Sequence, residues 1–185
     1  MIKDVIANMN VHMDKSIDSL RKEYQRVRTG RASTSLLDEV KVDSYGNLSP
    51  LNQVATLSVP EARTITIQPW DSKMIQPIEK AIMNANLGLT PANDGKTIRL
   101  NLPPLTEERR KDIVKQLKRD AEESKVALRN IRRDAIDQLK KLEKDKSISE
   151  DELKRAEKEV QDSTNSHVAK IDEVLQHKEK EVMEV

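Results

Sequence analysis

The chain has 185 residues, 35% of them charged and 36% hydrophobic, with no cysteine, no phenylalanine and only Tyr24, Tyr45 and Trp70 as aromatics. That composition excludes a disulfide framework and thiolate chemistry, and it leaves only a thin aliphatic core, which suits helix seams better than a thick globule. No apolar run approaches the ~18 residues of a membrane span, and the start, MIKDVIANMN, has neither a signal-peptide h-region nor the character of a transit peptide, so a soluble cytoplasmic protein that makes no membrane contact is expected.

In chain order, Ile2, Ile6, Met9, Met13, Ile17, Leu20, Tyr24 and Val27 recur in steps of three and four, which predicts one helix of ~27 residues, or ~40 Å. Thr29-Gly30 is expected to end it, with Gly30 in the left-handed conformation. The period then changes to two. Residues 40–45, 56–59, 64–67 and 97–102 alternate like strands, with a turn at Gly46-Asn47. Met74, Ile78 and Ile82 place one short helix over 72–85. Residues 30–104 therefore form a small β-rich α/β domain, about large enough for its own core.

Pro103-Pro104 closes this insert, and Thr106 is placed to cap a second helix whose first turn carries Glu107 and Glu108. Val114, Leu117, Ala121, Leu128, Ile131, Ala135 and Leu142 are its expected buried stripe over ~37 residues, or ~55 Å. Ser149 to Glu152 reads as a capping box for a third helix. Leu153, Val160, Thr164, Val168, Ile171, Leu175 and Val182 point inward on it. Three such stripes bury one another in an antiparallel three-helix bundle. The bundle is expected from 1–29 and 105–185, with 30–104 inserted. Hinge residues are expected at the two crossings: Thr29, Gly30, Arg31 and Ala32, then Pro103, Pro104, Leu105 and Thr106. Charged flanks around each stripe predict an elongated monomer.

Catalytic patterns are missing. The four glycines, Gly30, Gly46, Gly88 and Gly95, make no phosphate-cradling loop, and His12, His167 and His177 lack metal-ligand spacing. All three histidines are expected at the surface or rim. The paired acids sit in first helical turns, where caps and dipoles explain them. Neither an enzyme, a cofactor nor a metal site is expected.

The net charge of +1 conceals a separation. Residues 1–29 carry six basic and four acidic groups, 30–104 seven of each, 105–146 fourteen and ten, and 147–185 six and eleven. On the second helix Lys111, Lys118, Lys125 and Arg132 fall seven residues apart and share one column beside the core, with Lys115, Arg129, Arg133 and Lys140 next to it. Periodicity leaves two readings open. The column pairs with the acidic third helix, or it is a phosphate-contacting stripe ~40 Å long. With no aromatic beside it, shape-and-phosphate recognition of folded RNA fits better than base stacking. A helical-bundle adaptor for an acidic protein is the alternative function.

Five segments carry a resemblance: VRTGRAS at 27–33, SLLD at 35–38, NLGLTP at 86–91, LPPLTEERRKD at 102–112 and RNIRRDA at 129–135. Together they resemble the ribosome recycling factor family, in order and over the whole chain. One departure is Thr34, where the family typically has proline. The resemblance implies an α+β, L-shaped protein with the outline of tRNA, whose short arm is a β/α/β sandwich. It implies binding to the ribosome along large-subunit ribosomal RNA, and subunit splitting with elongation factor G and GTP. Arg110, Arg129 and Arg132 are the RNA contacts it implies; Lys118, Lys125 and Arg133 join them from the stripe.

Overall fold

The structure, a computed structural model, describes residues 1–184. Its elements in order are α1 (Ile2–Gln25), β1 (Lys41–Ser44), β2 (Asn47–Pro50), β3 (Ala55–Glu61), β4 (Thr64–Pro69), α2 (Ile75–Asn84), β5 (Pro91–Asn93), β6 (Ile98–Asn101), α3 (Glu107–Lys144) and α4 (Glu150–Met183). They fall into two compact units. One holds Met1–Tyr24 and Lys111–Lys180; the other holds Gln25–Arg110 and the chain from Glu181 onward. The chain thus passes between units three times, at Tyr24/Gln25, Arg110/Lys111 and Lys180/Glu181. Thr29–Ala32 and Pro103–Thr106 all lie inside the second unit.

The first unit is the helical bundle. α1 buries Ile6, Met9, Met13, Ile17, Leu20 and Tyr24, the stripe its spacing predicts. α3 buries Ile113, Leu117, Ala121, Leu128, Ala135 and Leu139, whereas Val114, Ile131 and Leu142 are half-buried. α4 buries Ala156, Val160, Thr164, His167, Ile171 and Val182, with Leu153, Val168 and Leu175 half-buried. The corrections shift the stripe by one to three positions, as from Val114 to Ile113 and from Leu142 to Leu139, because a seven-residue spacing drifts by about 20° per heptad on a straight helix.

Both long helices start as their caps dictate. Arg109 N–H donates to Thr106 Oγ1 at 3.1 Å. Glu152 N–H donates to Ser149 Oγ at 3.1 Å, and Ser149 N–H to Glu152 Oε1 at 3.2 Å. Lys146, at φ +60°, ends α3, with Ser147 N–H returning to Leu142 O at 2.9 Å.

Tyr24 joins α1 to α3. Its hydroxyl donates to the Leu117 carbonyl at 2.6 Å from a site 3% exposed. Burial, then the carboxylates of Asp120 and Glu179, push the phenol well above its ordinary 10.0. The folded state therefore keeps this proton longer than the unfolded chain, and stability falls as pH rises past the range where an unfolded tyrosine ionises. Tyr24→Phe is expected to cost about 0.5–1.5 kcal/mol at neutral pH and to flatten that alkaline fall, as urea titrations at several pH values will show.

In the second unit, β3-β4-β6-β5 make an antiparallel sheet and β1-β2 a separate hairpin. A single core cluster joins Val42 of the hairpin, Ile65, Ile67, Ile98 and Leu100 of the sheet, and Ile75, Ile78 and Ile82 of α2. The alternation of the sequence does not reveal β2 and β5; each is three or four residues long and contains proline. The hairpin turn is Tyr45-Gly46, at φ +51° and +88°, not Gly46-Asn47. Ser44 pairs with Asn47, so a two-residue turn is required, and such turns need positive φ at both central positions.

α1 ends at Gln25, short of Thr29, and Gly30 is not among the residues with positive φ. Tertiary bonds take over there. The Arg28 guanidinium donates to the Pro103 carbonyl, Ala32 N–H to Ala62 O at 2.6 Å, and Arg31 N–H to Thr29 Oγ1 at 3.3 Å. Thr34 opens a 3₁₀ turn capped by Ser33, whose hydroxyl accepts from Ser35 N–H at 3.2 Å. The turn thus starts without the family's proline.

Candidate nucleic-acid interface

The outward side of α3 is where the basic residues collect, and the helix geometry sorts them. Lys111, Lys118, Lys125 and Arg132 do not stay in one column. Seven residues advance a helix by two turns less about 20°, so the series rotates toward α4 as it descends. Lys111 and Lys118 are exposed, while Lys125 and Arg132 are half-buried.

The two half-buried members are engaged within the bundle. Lys125 Nζ lies 2.7 Å from Asp172 Oδ1 on α4 and 3.8 Å from Glu122 Oε1. Arg132 Nη1 donates to Gln161 Oε1 at 2.7 Å, and its Nε is buried without a partner. Pairing with α4 therefore accounts for Lys125. Arg132 is anchored by one amide, with the rest of its guanidinium at the rim.

Lys118, Arg129 and Arg133 are exposed, and no ion pair among the described residues engages them. Arg129 and Arg133 are one turn apart on the same side. Arg110 differs again. It sits in the first turn of α3, half-buried, with Nε enclosed and unpartnered. Exposed Val126 lies between Glu122 and Arg129. Glu122 lies among these bases, 3.8 Å from Lys125, while Asp120, Glu123 and Asp134 line grooves between α3 and α1.

Those two grooves, about 520 and 330 Å³, are open and lined by Ser16, Ser19, His12, Lys15 and the acids just named. Among the described residues no three potential metal ligands cluster, and no helix is long and apolar enough to cross a membrane. His167 departs from its expected rim position. It is 6% exposed and bonded to both α4 and α1. Its place in the 160–164–167–171 series on α4 was a readable signal.

A family model described as ribosome recycling factor matches residues 20–183. The ribosome-recycling factor of Citrifermentans bemidjiense is 88% identical over 185 residues, the whole of both chains. Those of Geotalea daltonii and Geobacter sulfurreducens are 83% and 76% identical over the same span. Among solved structures, the solution structure of a ribosome recycling factor superposes with a TM-score of 0.80 at 41% identity, covering 100% of this chain and 98% of that one. A second, of T. thermophilus ribosome recycling factor and E. coli elongation factor G bound to the E. coli post-termination complex, matches at TM-score 0.67 and 47% identity over all of both chains. Sequence likeness over the whole length and the same combination of helical bundle and antiparallel-sheet unit agree: the chain belongs to the ribosome recycling factor family.

Proposed function

We propose that this chain binds the ribosome after termination and, together with elongation factor G and GTP hydrolysis by that partner, separates the subunits for a new round of initiation. The observation that carries the binding mode is the outward face of α3, where Lys118, Arg129 and Arg133 are exposed while Asp172 of α4 engages Lys125 on the flank. Phosphate oxygens of large-subunit ribosomal RNA fit such a face, and arginine suits them through its planar fork. Arg132 and Arg110, each with an enclosed Nε, contribute from the rim. Lys125 contributes less, since releasing it means breaking its contact with Asp172.

The protein is a stoichiometric factor in this reading, not an enzyme, and it works in the cytoplasm as a monomer without cofactor or metal. The two bodies of this proposal are the bundle, 1–29 with 105–185, and the insert, 30–104, bounds that differ from the two compact units at 25–29, at 105–110 and from 181 onward. Thr29–Ala32 and Pro103–Thr106, a few residues inside the second unit from its crossings at Tyr24/Gln25 and Arg110/Lys111, are the proposed hinge that lets the insert follow elongation factor G while the bundle stays on RNA. Three packed helices give the bundle the stiffness a lever needs.

The adaptor reading, with an acidic protein on the same face, draws on the Lys125–Asp172 pair, which shows that carboxylates suit this flank. One experiment separates the two. Post-termination ribosomes mixed with this protein, elongation factor G and GTP are expected to sediment as separated subunits. Binding to isolated large subunits should weaken linearly in log–log against monovalent salt. Intact ribosomes with all three components present, or binding that survives removal of the RNA by nuclease, overturns the RNA reading in favour of the adaptor.

A further inference from the structure

His167 has no part in that interface, yet it is one of two polar side chains buried among the described residues, the other being Thr164. Its ring bridges two helices. Nδ1 is 2.7 Å from the backbone oxygen of Ser163, one turn back on α4, and Nε2 is 2.9 Å from Oδ1 of Asp14 on α1. A second rung lies one turn away, where Ser163 Oγ donates to Asn10 Oδ1 at 2.5 Å. Thr164 does not compete, because its hydroxyl donates to Val160 O at 2.7 Å.

A backbone carbonyl and an ionised carboxylate can only accept hydrogen bonds. The neutral imidazole ring has one N–H and one lone pair; only the imidazolium has two N–H groups. Both contacts at His167 are therefore hydrogen bonds only while the ring carries two protons. On the neutral ring the N–H stays with Ser163, whose carbonyl is fixed by its helix. The Nε2 lone pair then faces the Asp14 carboxylate, which is 58% exposed and able to turn into water.

We propose that His167 is a proton-operated latch between α1 and α4: the doubly protonated ring holds Asp14, and loss of one ring proton releases it. The surrounding charges leave Asp14 as the partner. On α1, Asp18 follows Asp14 by one turn and pairs with Arg21 at 3.6 Å. On α4, Lys170 is exposed and Asp172 holds Lys125. α3 brings Lys125 and Arg132 to this stretch, but Asp172 and Gln161 engage them. Closure takes up one proton, so rising pH opens the latch and falling pH closes it. The aliphatic side chains of Met13, Ile17, Val160 and Ile171 are buried whatever the ring's state, so opening loosens the α1–α4 seam without unfolding the bundle.

Asparagine at position 14 can donate from its amide to a neutral Nε2, so Asp14→Asn should stay latched without the second ring proton. Alanine there has nothing to offer. Both changes are at an exposed position that the fold tolerates. The readouts are ¹⁵N–¹H correlation of the His167 ring and amide hydrogen exchange along Asn10–Ile17, corrected for intrinsic rate, in the full chain. In the parent, protection is expected to drop about threefold to tenfold as the ring loses its second proton, the scale of one partly solvated charge-assisted bond. It should stay high and flat in Asp14→Asn, and low and flat in Asp14→Ala. A parent ring with no proton on Nε2 while the Asp14 contact persists overturns the latch, and so does an Asp14→Asn profile that follows the parent's.

Discussion

Leu117→Ala is expected to destabilise the helical unit by about 2–5 kcal/mol. Leu117 is fully buried on α3, and its own carbonyl accepts the Tyr24 hydroxyl. Truncation there leaves a cavity between α3 and α1 and loosens the Tyr24 hydrogen bond that joins them at that level. With few aromatics to fill space, neighbouring aliphatic side chains can close the gap only by shifting a helix. Two spectroscopic signals separate the units. Most helical residues belong to the bundle, while Trp70, the single tryptophan, belongs to the sheet unit. In urea, the far-ultraviolet dichroism transition should move to lower concentration while the Trp70 fluorescence transition stays. The sheet unit has its own core around Ile65, Ile67, Ile78 and Ile98, and the mutation does not touch it. A dichroism shift worth less than about 1 kcal/mol would mean that Leu117 is not a core residue. Joint movement of both signals would mean that the two units unfold as one.

The bundle was readable because long helices repeat their message. Ile6, Met9, Met13, Ile17 and Leu20 each confirm the period set by the others, and a cap such as Ser149 with Glu152 states where a helix starts. Helix ends carry less redundancy. Gln25 is the last residue of α1 because Arg28 and Ala32 bond to Pro103 and Ala62, partners roughly 30 to 75 residues away that no local pattern reveals. The short strands failed for a related reason. Pro91–Asn93 is a strand because it pairs with Ile98–Leu100, not because its residues favour one. Tyr45 in the left-handed region is also unreadable locally, since asparagine or glycine is usual there. Its hydroxyl donates to Asp71 at 2.6 Å and holds that carboxyl below its ordinary range. On α3 a strict seven-residue spacing predicted one column. The helix's true period turned that column by about 60° over three heptads, which divided one expected stripe into an engaged flank and an exposed face.

That division gives the second large effect. Replacing Arg129 and Arg133 together by alanine is expected to weaken binding to the large ribosomal subunit by about 2–4 kcal/mol, as two charge-assisted contacts are lost. The log–log salt slope should become shallower by about one to two. The melting temperature should hardly change, because both side chains are exposed and make no ion pair among the described residues. The flank should behave in the opposite way. Lys125→Ala removes the partner of Asp172 and exposes the acidic side of α4. Its effect should fall first on stability, by about 1 kcal/mol or less for a pair whose acid is 48% exposed, and only weakly on the salt slope. The contrast between the two sites matters more than either value, since a general loss of positive charge would weaken binding equally per charge removed at both places. Equal losses per charge removed would mean that the ribosome senses only the field of α3. A loss confined to Lys125 would mean that the RNA displaces Asp172 and takes the flank as its site. A loss confined to Arg129 and Arg133 assigns the contact to the face that α4 leaves open.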